Sequence, residues 1–280
     1  MKISFFLETT CEYLTFLANQ SFIFSADSSA IFFINRNNII TIDLNSRAPL
    51  YLATNIEHPT NSQYISISAS SDGKYIFAVR ITDKSRIDII SISTSRGSEA
   101  TVSYGFEIPA DSREMLDKCD FDADKKRIVV CSHTGERRSI IIRDCVDSKT
   151  YSLTQEKPGS TSCIKLDDRE NILYFGSDDG NIYKWQFQKT NNALQTLKFA
   201  NRTVSSIAID SAKTIAAASF DRGSVNAILV DARGETNNIR IISDPRGAQT
   251  ISLHPNRREF AIIGEDCILI YDIEKLRNTR

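Results

Sequence analysis

An excess of charge of either sign is missing from this chain: 34 Lys and Arg stand against 35 Asp and Glu, a net charge of −1. Bulk electrostatics therefore gives no reason to hold nucleic acid or an anionic membrane. Long hydrophobic runs are also missing, and no stretch approaches the roughly 18 apolar residues that mark a transmembrane helix. The opening Met1-Lys2-Ile3-Ser4-Phe5-Phe6-Leu7-Glu8 has an apolar core too short for a secretion signal, so none is expected. The chain has 3 histidines, and its 6 cysteines (Cys11, Cys119, Cys131, Cys145, Cys163 and Cys267) lie far apart with no CxxC and no metal-ligand spacing. We expect reduced thiols, no metal, no cofactor and a cytoplasmic or nuclear setting. No glycine loop follows a strand and opens a helix, which excludes the common phosphate-cradling motifs. No linker, low-complexity tract or coiled coil interrupts the chain.

What is present is a pattern that returns along the whole length. An alternating apolar stretch meets a short polar turn, then a second apolar stretch, a few polar residues and a third. The turns begin at Ser25, Ser70, Asp122, Asp167, Asp210 and His254, spaced by 45, 52, 45, 43 and 44 residues. A period of about 40–50 residues built only from short strands is the signature of a β-propeller. The third stretches are β-branched and aromatic, for example Ile39-Ile40-Thr41-Ile42-Asp43 and Ile140-Ile141-Ile142-Arg143-Asp144. Asp43, Asp144, Asp231 and Asp272 close four of them.

The pattern assigns first strands near 21–25, 63–69, 116–121, 161–166, 204–209 and 248–253. Second strands fall near 30–34, 75–80, 127–132, 172–176, 215–219 and 259–263. Outer, fourth strands fall near 48–54, 101–107, 150–155, 193–199 and 237–242. The last unit has no outer strand of its own, while strand-like Lys2–Leu7 and Glu12–Leu17 precede the first unit. The expected architecture is all-β: a propeller of six four-stranded blades, with an N-terminal strand completing the last blade. Closure of this kind removes sheet edges. We expect one domain, with 1–20 as the closing segment and 21–280 as the propeller proper. Pro59, Pro109, Pro158 and Pro245 all fall between an outer strand and the next first strand, where a missing N–H does no harm.

The fourth unit is the clearest. Its run Gly176-Ser177-Asp178-Asp179-Gly180-Asn181-Ile182-Tyr183-Lys184-Trp185 resembles the passage from second to third strand in the WD-repeat family. The likeness covers roughly 20–280, with Gly176, Asp178, Gly180 and Trp185 as its signature residues beside the closing aspartates. Trp185 is alone at the signature position, and no Gly-His pair precedes a first strand. The buried network that Gly-His supplies in that family is therefore expected to be mostly absent. The resemblance implies a non-catalytic scaffold for protein partners, working as a subunit of a larger complex.

A site must then lie in loops. One face of such a ring collects the fourth-to-first connections at 57–62, 109–114, 157–160, 200–203 and 244–247. It also collects the second-to-third connections at 35–38, 82–86, 133–139, 177–181, 220–224 and 264–266. These carry Arg36, Arg86, Arg113, Arg137, Arg138, Arg202, Arg222 and Arg246. Guanidinium groups on one rim suit carboxylates or phosphates, so an acidic or phosphorylated protein or peptide is the expected partner. Acids in the same loops, among them Asp178, Asp179 and Glu136, leave the surface near neutral.

Other constellations weigh less. Asp120-Phe121-Asp122-Ala123-Asp124 has the spacing of a calcium loop, but Lys125 stands where that loop needs Gly and Cys131 where it needs Glu. Cys131-Ser132-His133 brings a thiol and an imidazole together without an orienting group, with His133 read as the start of a loop. Trp185 is expected to pack, its N–H finding a partner. A propeller hydrolase would need acids or histidines repeated at the channel ends of first strands. Those strands offer Asp117, Asp120 and Lys165 without repetition. A nucleic-acid-binding propeller would have to rely on its arginines alone.

Overall fold

Segment by segment, the alternating stretches become short antiparallel ladders. A computed structural model describes residues 3–6, 22–25, 29–35, 38–43, 49–53, 62–82, 86–94, 100–107, 116–134, 137–156, 160–167, 170–189, 194–198, 203–209, 215–221, 224–230, 236–241, 250–253, 259–263 and 267–272. Strands and turns account for the ordered elements among them, and there is no helix among the described residues. The chain opens with β1 (Ile3–Phe6). Blade 1 follows as β2 (Phe22–Phe24), β3 (Ala30–Asn35), β4 (Asn38–Asp43) and β5 (Pro49–Ala53). Blade 2 is β6 (Ser62–Ala69), β7 (Tyr75–Thr82), β8 (Arg86–Ser93) and β9 (Ala100–Glu107). Blade 3 is β10 (Leu116–Asp122), β11 (Arg127–Thr134), β12 (Arg137–Asp144) and β13 (Thr150–Glu156). Blade 4 is β14 (Thr161–Asp167), β15 (Ile172–Ser177), β16 (Asn181–Gln186) and β17 (Leu194–Lys198). Blade 5 is β18 (Ser206–Ile209), β19 (Ile215–Asp221), β20 (Ser224–Val230) and β21 (Thr236–Ile241). The last sheet holds β22 (Thr250–Leu253), β23 (Glu259–Ile263) and β24 (Cys267–Asp272).

Five sheets are plain meanders, and the last runs β1-β24-β23-β22. There β1 pairs antiparallel with β24, Ile3 opposite Ile270 and Phe6 opposite Cys267. The strand-like segment expected at 12–17 lies outside the described residues. First strands of successive sheets stand side by side, and β2 touches both β6 and β22, so the succession returns to its start. This is a β-propeller whose described residues form six four-stranded sheets.

Each blade packs both faces against neighbours, so its inner strands are apolar on both sides. All six residues of β15 are buried, and the central stretches of β7 and β8 are buried without alternation. The core therefore lies between blades. Ile67, Ile76 and Ile90 pack against Phe32 between blades 1 and 2. Phe77, Val79 and Ile89 meet Phe121 and Ile128 between blades 2 and 3. Val129, Ile140 and Ile142 meet Phe175, Tyr183 and Trp185 between blades 3 and 4. Each such side chain contributes about 1.5–3 kcal/mol of burial. Outer strands carry the exposure: Thr101, Val102 and Ser103 of β9 face solvent.

The turn chemistry recurs for a physical reason. The Asp122 carboxylate accepts the backbone N–H groups of Asp124 and Lys125, both at 2.9 Å, in place of a calcium ion. Asp124 instead accepts from Ser71 N–H at 2.9 Å, and Asp120 turns to Lys165. The three acids of the calcium-like spacing thus serve separate partners. Asp144 accepts Val146 N–H at 2.9 Å and an Arg127 Nε–H at 3.2 Å. That accounts for an aspartate closing a third strand: it caps the turn into the fourth. Burial works to raise the Asp144 carboxyl, but those donors outweigh it and hold it below the usual range.

Candidate functional site: the loop face of blades 2 to 4

Strands on the loop face reach further toward their tips than the hydrophobic pattern indicates. The connection expected at 133–139 is reduced to the two residues between Thr134 and Arg137, and that at 82–86 to the three between Thr82 and Arg86. Hairpin ladders continue as long as facing residues can pair, whatever their polarity, so Arg86, Arg137, Arg138 and His133 lie in strands. His133 pairs with Arg138 in the β11–β12 ladder and is no loop residue. Arg36, Arg113, Arg202, Arg222 and Arg246 lie outside the described residues.

Arg138 must be corrected from rim to interior. It is 2% exposed. Its Nη2 donates to Ser177 Oγ at 2.8 Å, bridging blades 3 and 4. The guanidinium lies over the rings of Phe175 and Tyr183, with centroid distances of 5.6 and 6.0 Å. Beside it Tyr183 donates its hydroxyl to Asp179 at 2.6 Å. Burial tends to raise the Asp179 carboxyl, yet the Tyr183 hydroxyl, the Asn181 N–H and the Arg138 charge bring it below the ordinary range. Asp178 accepts Ser160 N–H at 3.1 Å and Ser177 Oγ–H at 3.1 Å. The acids that neutralise this loop in sequence are therefore tied down within blade 4 itself, with the Arg138 charge of blade 3 beside Asp179.

The signature residues are structural as well. An added Cβ at Gly176 would stand 2.6 Å from Cys163 Sγ and 2.7 Å from the Val204 side chain. Gly180 has φ 80°, where other residues are strained. Trp185 is 1% exposed and edge-on to Phe187 at 5.9 Å. Its Nε1 has no hydrogen-bond acceptor among the described residues, contrary to expectation. The ring packs among Val129, Ile142 and Phe187 between blades 3 and 4. Asp43 and Asp272 end β4 and β24, and Asp231 lies outside the described residues.

In blade 2 a polar row crosses the whole sheet: Tyr64 opposite Arg80, Arg80 opposite Asp88, Asp88 opposite Gly105. Arg80 Nη2 donates to Asp88 Oδ2 at 2.8 Å, and Arg86 Nε donates to Asp88 Oδ1 at 2.8 Å. The Arg80 and Asp88 side chains are 6% and 8% exposed, that of Arg86 56%. Burial pushes the Asp88 carboxyl up, but hydrogen bonds from Arg80 and Arg86 overcome it and hold the group below the usual range. Burial also pushes the Tyr64 phenol up to about 12 against the pull of Arg80.

A feature not visible in sequence lies at the inner ends of the blades. β6, β10 and β14 each slip register at the same place, between Tyr64 and Ser66, Leu116 and Lys118, and Thr161 and Cys163. Such bulges re-aim side chains. Just below them Asp120, 5% exposed, ties three first strands together. It accepts Lys165 Nζ–H at 3.1 Å, Leu166 N–H at 3.3 Å and Ser66 Oγ–H at 3.4 Å. Lys118, above it, is exposed. Among the described residues no group of three His, Cys, Asp or Glu is placed to hold a metal ion.

Comparison with known proteins places the architecture. No sequence-family profile matches the chain, and no curated protein matches it in sequence. Solved structures do. The β-propeller domain of Myceliophthora thermophila Cps50 (Swd1) superposes with a TM-score of 0.56 at 10% identity, covering 91% of this chain and 96% of that one. A chain of a mitotic checkpoint complex gives 0.59 at 12% identity, covering 91% and 87%. Chaetomium thermophilum Raptor gives 0.61 at 12% identity, covering 90% of this chain and 28% of that longer one. The likeness shows the fold, a β-propeller.

Proposed function

We propose that this propeller is a non-catalytic scaffold that docks a protein or peptide partner on its loop face, as a subunit of a larger complex in the cytoplasm or nucleus. One observation carries the reading. Exposed Arg137 stands at the tip of the β11–β12 hairpin and exposed Lys118 on the inner strand β10, opposite Cys131, while the polar groups beneath them, Arg138, Asp120 and Lys165, are engaged between blades. Side chains on a fixed backbone dock with little ordering entropy. Cationic groups so presented suit the carboxylates or phosphates of an acidic partner. The similarity to a chain of a mitotic checkpoint complex supports a place in an assembly, through the fold alone.

The test is capture of the tagged protein from its own cells, followed by mass spectrometry, comparing wild type with Lys118→Glu/Arg137→Glu. Exposed charges of this kind change stability by less than about 0.5 kcal/mol, so the variant melts like wild type. A stoichiometric partner present with wild type and lost with the variant is the expected result. Absence of any partner in both samples, or equal recovery in both, refutes the reading.

A further inference from the structure

The outer strands of the blades are not equally protected as edges. Open edges invite pairing, and proteins blunt them with prolines, lysines and short lengths. β5 begins with Pro49, β1 has four residues, β17 has five and ends in Lys198, β21 carries Arg240, and β13 has seven residues with a single charge at Glu156. β9 has eight residues, Ala-Thr-Val-Ser-Tyr-Gly-Phe-Glu, with no proline, lysine or arginine and a single charge at Glu107. Among the described residues it pairs only with β8. Val102 is 51% exposed. Ser103 is the extra residue at the register shift opposite Ile89 and Ile90, and its Oγ–H reaches Ser91 Oγ at 2.6 Å.

The polar row of blade 2 ends at this edge. Gly105 is exposed, and a Cβ there would stand 2.5 Å from Arg86 Nη2 and 3.1 Å from Asp88 Oδ1. The missing side chain is what lets the Arg86 guanidinium lie across the edge strand. Both Asp88 oxygens are taken by arginines, one buried and one exposed. Two positions further, on the same face, stands Glu107, opposite Arg86 in the ladder. Along one face the edge thus presents apolar Val102, the Arg86 guanidinium at the level of Gly105, then the Glu107 carboxylate.

We propose that β9 is a second docking surface, which takes an extended strand of a protein partner by antiparallel addition. The partner strand carries an acidic residue opposite Gly105, a basic residue two positions before it opposite Glu107, and an apolar residue beyond the acid against Val102. Main-chain hydrogen bonds hold such a strand and alternate side chains select it. The proposal rests on the scaffold reading but uses a surface distinct from the one formed by Lys118 and Arg137.

The test begins with selection of random nonapeptides displayed on phage against the immobilised protein. Enriched peptides are expected to share a base–x–acid pattern followed by an apolar residue. Synthetic copies should bind about fivefold more weakly to Arg86→Gln, the worth of one cross-strand charge pair. Gly105→Ala, which displaces the same guanidinium, should weaken them alike while circular dichroism shows each variant folded. Hydrogen exchange should slow at residues 100–107 in the complex. Failure to enrich any peptide, enriched peptides without the acid, variants that bind the peptides as tightly as wild type does, or protection elsewhere would overturn the proposal. So would a dimer in solution that Val102→Lys dissociates, since that assigns the edge to a second copy. Failure here with the loop-face partner still captured removes this inference alone.

Discussion

Residues of one type play opposite parts in this molecule, and only their neighbours across the blade boundary decide which. Arg137 is exposed at the start of β12, whereas Arg138, the next residue, is buried over two aromatic rings with its donor on Ser177. Reversing Arg138 to Glu should cost about 3–5 kcal/mol, because it buries an unpaired carboxylate beside Asp178 and Asp179. Thermal melting of Arg137→Glu and Arg138→Glu separates the two: the first melts like wild type, the second well below it. Burial of Arg138 was not legible in the sequence, since its partner lies 39 residues away in another sheet. A stretch of Arg-Arg beside a hairpin reads as solvated charge until the facing blade is known. The role of Trp185 was legible, because an aromatic at the third-strand position of an inner strand has nowhere to go but the core. Trp185→Ala should lower stability by about 3–5 kcal/mol by chemical denaturation, and an unchanged midpoint would show that the ring does not pack as described.

At the scale of elements, alternation and turn spacing placed the strands well. The six first strands begin and end within about two residues of their expected bounds, the usual uncertainty of strand ends. What alternation did not show is the shared bulge in β6, β10 and β14, because a bulge depends on what the neighbouring strand offers and not on local hydrophobicity. Nor did it show that Asp120 serves the ring. First strands leave one edge toward the channel, and an unpaired backbone N–H there needs an acceptor. Asp120 supplies one to Leu166 and pairs with Lys165 at the same time. Asp120→Ala should therefore cost about 2 kcal/mol, and exposed Asp124→Ala less. Urea titration of both variants checks this, and equal midpoints would remove Asp120 from the bridging role.

For the molecule as a whole, the repeat period announced the propeller, and the solved structures it superposes on share 10–12% identity with it. So distant a likeness is what the physics of the fold allows. A blade needs buried inner strands, tight polar turns and a closing pairing such as that of β1 with β24, and many sequences meet those needs. Function is written at the surface, where sequence pattern is least constraining. The described part of that surface differs between its two faces. Lys118 and Arg137 stand at the loop face, whereas Lys74, Lys125 and Lys149 sit in or beside the turns of the opposite face. Cross-linking mass spectrometry of the captured complex with an amine-reactive reagent reads this difference directly. Docking on the loop face predicts partner cross-links to Lys118 and none to Lys74, Lys125 or Lys149. Cross-links confined to the latter three would contradict docking on the loop face.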